Sequence, residues 1–172
     1  MMKRTFQAAL AACVLTCACG DDGEVKADND TGKDEPDAQQ EDCTKEMYGK
    51  YKQAGFEAVN AKILENIGKV SAMNPSPIGD SFKGLSEDDV ARVEANLLDF
   101  LVMVYGGPSD YQGKSMKAAH KGLGITQDEY DAFVSMVVVP ALSDVGVSSD
   151  DITMCFAPPV TDPAFVADIV EK

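Results

Sequence analysis

Tyr105-Gly106-Gly107-Pro108-Ser109-Asp110-Tyr111-Gln112-Gly113-Lys114-Ser115-Met116-Lys117-Ala118-Ala119-His120-Lys121-Gly122-Leu123-Gly124-Ile125 is the stretch whose reading decides the fold. Gly106-Gly107-Pro108 ends any helix arriving from the N-terminal side, because glycine accepts the turn and proline cannot continue the hydrogen-bond ladder. A short segment around Ser115–His120 follows, and Gly122-Leu123-Gly124 turns the chain again. The segment carries the chain's single histidine, so any histidine chemistry passes through His120.

Working outward, the apolar residues keep helical spacing. Val90, Val93, Leu97, Leu98, Leu101, Val102 and Val104 recur every three or four residues and share a helix face. Ser86-Glu87-Asp88-Asp89 supplies an N-cap and an acidic first turn, with Asp89 three residues after Ser86. An earlier helix is expected over about residues 55–70, with Phe56, Val59, Ile63 and Ile67 on one stripe, and Asn74-Pro75-Ser76-Pro77 forces a non-helical connection after it. Downstream, Thr126 caps a helix expected to reach about Val139, carrying Tyr130, Phe133, Val134 and Val137. The β-branched run Val137-Val138-Val139 continues that stripe and is read as helix. A last helix starts near Ser149 and is expected to be cut short by Ala157-Pro158-Pro159 and Asp162-Pro163, with a short helix over residues 164–170. The fold class is all-α.

The chain has 172 residues, 15 basic against 29 acidic, and a formal net charge of −14. That length suits one domain plus a targeting segment. The acidic balance argues against a nucleic-acid partner, whose phosphates need a basic footprint, and against unaided docking on anionic lipid. Residues 1–19 read as an export signal. Lys3 and Arg4 precede an apolar run that falls short of the roughly 20 residues a membrane-spanning helix needs. Ala18-Cys19 closes the run as a bacterial lipobox would, which makes Cys19 the expected lipidation site, with Cys17 the alternative; a plain secretory signal is the reading without lipid. Residues 20–42 hold ten acidic and two basic side chains and almost nothing apolar. Such a segment cannot offset its ordering entropy and is expected to be a disordered tether of roughly 25 Å reach. Residues 43–172 are then the folded domain. Its cysteines, Cys43 and Cys155, are either one disulfide formed in an oxidising compartment or two free thiols.

The chemistry search is mostly exclusion. The mature domain has no phosphate-binding glycine loop, no Cys-x-x-Cys pair and no metal-ligand cluster. Glu87/Asp88 and Asp150/Asp151 sit at helix starts, where the dipole favours negative charge. Ser115 and His120 lack an orienting acid, so they are not read as a nucleophile and its base. His120 itself has two readings: a solvent-facing cation at a helix end, or a neutral imidazole that faces an apolar cavity and binds haem iron.

The stretch from Tyr105 to Ile125 resembles the group I truncated globins of bacteria. That family carries Gly-Gly-Pro after its distal helix, then Tyr-x-Gly, then Met-x-x-x-His-x-Gly-x-Gly-Ile, and each element is present at matching spacing. Weaker agreement extends from Met47-Tyr48 to about Val160 and includes Phe82-Lys83-Gly84. The resemblance implies a globin-like, two-over-two helical sandwich around b-type haem. It makes His120 the proximal iron ligand, puts Met116 one turn earlier on the haem's proximal side and lets Phe82 wedge the porphyrin. It also places Leu64 (or Ile63), Val93 and Leu97 on the distal side, with Leu101 deeper in the pocket.

The sequence departs from the family pattern in several places. Group I members usually set a tyrosine and a glutamine on the distal side to hydrogen-bond dioxygen, and Leu64 and Leu97 cannot donate. A lost neutral hydrogen bond costs about 0.5–1.5 kcal/mol, so dioxygen should be held more weakly, while carbon monoxide and nitric oxide depend less on such donors. Lys52-Gln53-Ala54-Gly55 replaces a Gly-Gly corner, and Asn96 stands where a basic residue often meets a propionate. Pro158-Pro159 interrupts the last helix. The expectation is an exported haem protein, lipid-anchored on the periplasmic or outer-surface side, that binds a diatomic gas. A haem-free globin scaffold serving as a partner-binding lipoprotein is the alternative. A haem enzyme acting on nitric oxide or peroxide ranks last, for want of a distal acid–base group.

Overall fold

The computed structural model describes residues 43–109 and 111–171. The signal, the lipidation positions Cys19 and Cys17, and the tether lie outside the described residues. A single 3₁₀ turn, Cys43–Glu46, leads into α1 (Met47–Ser71), followed by α2 (Glu87–Val104), α3 (Met116–His120), α4 (Gln127–Phe133) and α5 (Val139–Asp144). Then come α6 (Ser149–Asp151), α7 (Ala157–Thr161) and α8 (Pro163–Ile169). The described residues contain no strand, in agreement with an all-α fold.

The starts of α2 and α4 are set locally. The Ser86 and Thr126 hydroxyls accept from the amides of Asp89 and Glu129, and each acid reaches back to its cap amide, closing two capping boxes. The stripe Phe56, Val59, Ile63, Ile67 is buried throughout and packs with Val102, Val137, Ala141, Leu142 and Phe156. Fully burying each such side chain stabilises the fold by about 1.5–3 kcal/mol. α1 packs against both α2 and α5, which lets one stripe serve two neighbours. At the other end of the core, Tyr105 is 3% exposed. Its hydroxyl donates to the Phe156 carbonyl at 2.8 Å, and burial pushes its phenol well above the ordinary value.

Several boundaries differ from the sequence expectation. α1 begins eight residues earlier than expected, at Met47, and is broken once at Lys52, where φ is +59°. The helix from Thr126 runs past Val139 to Asp144, and the helix from Ser149 runs through Pro158-Pro159 to Thr161. Both continuations use one device. A wide π turn, Val134–Val138 in one and Ile152–Phe156 in the other, ends with an amide bonded five residues back: Val139 to Val134 and Ala157 to Ile152. The next residue in each case is a proline. A proline ring normally collides with the carbonyl four residues earlier, and widening the turn there makes room. Pro158-Pro159 therefore does not break the helix; Asp162-Pro163 does.

Cys43 and Cys155 form a disulfide, with Cα atoms 5.2 Å apart. Beside it, the Thr44 hydroxyl donates to the Cys155 carbonyl. Asp151 lies in the first turn of α6, as the sequence suggested, and also makes tertiary contacts. It is 9% exposed, takes the Lys50 ammonium at 2.5 Å and accepts from the Tyr51 hydroxyl.

Candidate functional site

α3 is a short helix held by its ends. The Ser115 hydroxyl accepts from the Ala118 amide at its start, and Gly122 (φ +83°) and Gly124 (φ +65°) turn the chain away after it. Within it the His120 Nδ1 lies 2.8 Å from the Met116 carbonyl oxygen. A carbonyl only accepts, so Nδ1 carries the proton. In the neutral ring the Nε2 lone pair is then free, with the ring orientation fixed by a backbone acceptor. This is the arrangement by which proteins prepare a histidine for a metal. His120 is half-buried.

Next to α3 lies a cavity of about 250 Å³. α2 contributes Phe100, Leu101 and Val104, with Tyr105 just beyond its end. Met116 contributes from α3, Pro159 and Val160 from α7, and Phe165 from α8. The walls are almost entirely carbon. Of the residues singled out from the sequence, Leu101, Val104 and Met116 meet at this cavity; His120 follows Met116 by one turn on α3 and is not itself among the lining residues. Phe82 instead stacks on Phe133, ring centroids 6.0 Å apart and 10° from parallel. Leu97 and Leu64 pack against the core, Ile63 is inside it, and Val93 is half-buried on α2. Phe100 was detectable from its spacing to Val93 and Leu97. Phe165 had no local signal, because it reaches the cavity by a long-range return of the chain.

The residues present suit haem chemically: one imidazole with an available Nε2, apolar walls, and no cluster of three or more competing metal ligands among the described residues. The room is smaller than the roughly 300–1,000 Å³ of ordinary cofactor pockets, and α8 forms one wall of it.

Residues 70–161 match the family model for bacterial-like globins. A group 1 truncated hemoglobin of Tetrahymena thermophila is 42% identical over 50 residues, 29% of this chain and 40% of that protein. The group 1 truncated hemoglobin GlbN of Nostoc sp. (strain MUN 8820) is 33% identical over 63 residues, 37% of this chain and 52% of that protein. The chain thus aligns with about half, or less, of the length of these curated relatives. Among solved structures, a mutant truncated hemoglobin from Tetrahymena pyriformis in the Fe(III) form superposes with a TM-score of 0.57 at 27% identity, covering 73% of this chain and 98% of that one. The family match runs from the last turn of α1 to the last residue of α7, more than half of the sequence, and the chain belongs to the bacterial-like globins, a family of haem proteins.

Proposed function

We propose that residues 43–172 bind b-type haem through His120 and present an apolar distal face to a diatomic gas. The observation that carries this reading is the Nδ1–H bond from His120 to the Met116 carbonyl, which orients the ring and leaves Nε2 available to iron. When bound, haem supplies gas binding and electron transfer at its iron. The chain's own part is to hold the imidazole, to keep water out with Leu101 and Met116, and to line the distal side with Leu64, Val93 and Leu97. None of these side chains donates a hydrogen bond, so carbon monoxide and nitric oxide are favoured over dioxygen relative to a site with a distal donor.

Titration of the protein with haemin, followed by reduction, tests this directly. A stoichiometric Soret band that is lost in His120→Ala is the expected result. A saturable band that survives that substitution unchanged would remove His120 from the iron. The second reading, a haem-free globin scaffold acting as a partner-binding module, is favoured by the small cavity left with α8 seated; the absence of any saturable band would select it.

Export and lipid anchoring at Cys19, or at Cys17, belong to the same proposal. The Cys43–Cys155 disulfide supports it, because such bonds persist in oxidising compartments. Mass spectrometry of the mature N-terminus is the check, and an unmodified Met1 would overturn it.

A further inference from the structure

The segment after Asp162 brings Phe165 into the wall of the cavity, is capped at its start and is tied to the rest of the domain at its far end. At its start the Asp162 carboxylate accepts from the amides of Ala164 and Phe165, at 2.8 and 3.1 Å, and Asp162 itself is extended. At its far end Glu171 grips the turn that follows His120. Its carboxylate oxygens accept from the Gly122 amide at 2.5 Å and the Gly124 amide at 2.7 Å. The Glu171 amide donates to the Ile125 carbonyl at 2.8 Å. Between the two ends, α8 packs on α3 and α7, and the Phe165 ring stacks on Phe100, centroids 6.1 Å apart. Much of the rest of α8 is exposed: Pro163, Ala164, Ala167 and Asp168. The helix is thus held by the Phe165 ring, the buried Ile169 and the half-buried Val166 on its inner side, and by the Glu171 latch at its end.

We propose that α8 is a removable wall of the cavity: a strap hinged at Asp162-Pro163 and latched by Glu171 to Gly122 and Gly124, whose opening admits a flat, apolar, tetrapyrrole-sized group. With the strap seated, the cavity of about 250 Å³ lies below the usual size of a cofactor pocket, and Phe165 forms part of its wall. Short helices with few buried contacts open locally at low cost. A carboxylate on two backbone amides is a strong tie that a single substitution removes. The latch also ends two residues from His120, so closing the strap fixes the turn that terminates the histidine's helix. The inference rests on the haem reading only for the identity of the group admitted.

The test uses the full chain, the variants Glu171→Ala, Glu171→Gln and Phe165→Ala, and Asp168→Asn as a control on the exposed face of α8. Without haem, amide exchange at Val166 and Val170, which bond Asp162 and Val166, should accelerate about tenfold in Glu171→Ala. Glu171→Gln, with one acceptor oxygen left, should fall between. Anilinonaphthalene sulfonate fluorescence should rise in Glu171→Ala, as the strap opens, and in Phe165→Ala, as the wall thins. The control should match the parent, and exchange in α1 should stay unchanged in all variants. Haemin uptake by Glu171→Ala should quicken by about the same factor as its exchange. Unchanged α8 exchange in Glu171→Ala would refute the latch. Faster exchange with dye binding and haemin uptake at the parent rates would refute the gate. Dye binding that rises while no version takes up haemin would uphold the strap and overturn the haem reading.

Discussion

Lys52 holds φ +59° and ψ 175°, a region that is almost exclusive to glycine and costs a side-chain-bearing residue about 1–3 kcal/mol. The globin resemblance places a Gly-Gly corner in this neighbourhood, so the lysine stands in a backbone shape made for glycine. Lys52→Gly should therefore stabilise the domain by about 1 kcal/mol, after allowing for glycine's extra unfolded-state entropy, read as a rise in the urea midpoint at unchanged slope. Gly106 shows the opposite case. It has φ +87°, and a Cβ there would lie 1.9 Å from the Lys45 carbonyl oxygen. The glycine does more than stop α2: it lets the N-terminal turn close onto that helix's end, where the Tyr48 amide bonds the Tyr105 carbonyl. Gly106→Ala should cost about 2–4 kcal/mol in the same assay. His120 and Met116 were legible as residues because their spacing is local. Phe165 and Glu171 were not: the Glu171 bonds to Gly122 and Gly124 span 49 and 47 residues, and no local rule sees that far.

The capped helix starts at Ser86, Thr126 and near Ser149 were readable, whereas the start of α1 and the ends of the two helices that run through a proline were not. The Ser86 and Thr126 caps depend on residues three apart, and the chain obeys them. Prolines mislead when the preceding turn can widen, as it does before Pro140 and Pro158. The second widened turn lies directly after Asp151, the acid whose partners come from the start of α1. The Lys50 and Tyr51 side chains hold the Asp151 carboxyl below the usual carboxylate range, while burial opposes them. A depressed carboxylate adds stability that is fully present above its unfolded pKa and is lost as pH falls through the folded one. The parent should therefore lose stability below about pH 4 more steeply than Asp151→Asn, which is less stable at neutral pH. Urea midpoints measured from pH 7 down to pH 2 would show the two curves converging; parallel curves would dismiss the ion pair as a stabilising contact.

At the scale of the molecule, the all-α class and the helical faces were legible because burial follows the 3.6-residue period. The crevice was not, since its walls come from four helices, the last of them in the returning C-terminal segment. The disulfide binds this arrangement together, joining residues 112 apart. A loop of that length should contribute about 3–5 kcal/mol through restriction of the unfolded chain, so reduction, or a paired Cys43→Ala and Cys155→Ala replacement, should lower the thermal midpoint by many degrees in calorimetry. A midpoint unmoved by reductant would show that the bond adds no stability.

The bond also sets how the domain answers to force. A pull arriving along the chain at Cys43 passes through the sulfur bridge to Cys155 and bypasses the covalent path through α1, α2 and the histidine's helix, loading instead the ties of the C-terminal stretch, such as Glu171 to Gly122 and Gly124. If the load is taken up at the C-terminus, only the stretch beyond Cys155 can lengthen. The disulfide acts as a short circuit for tension, and in an optical trap the oxidised protein should pay out a small fraction of the contour length released by the reduced one.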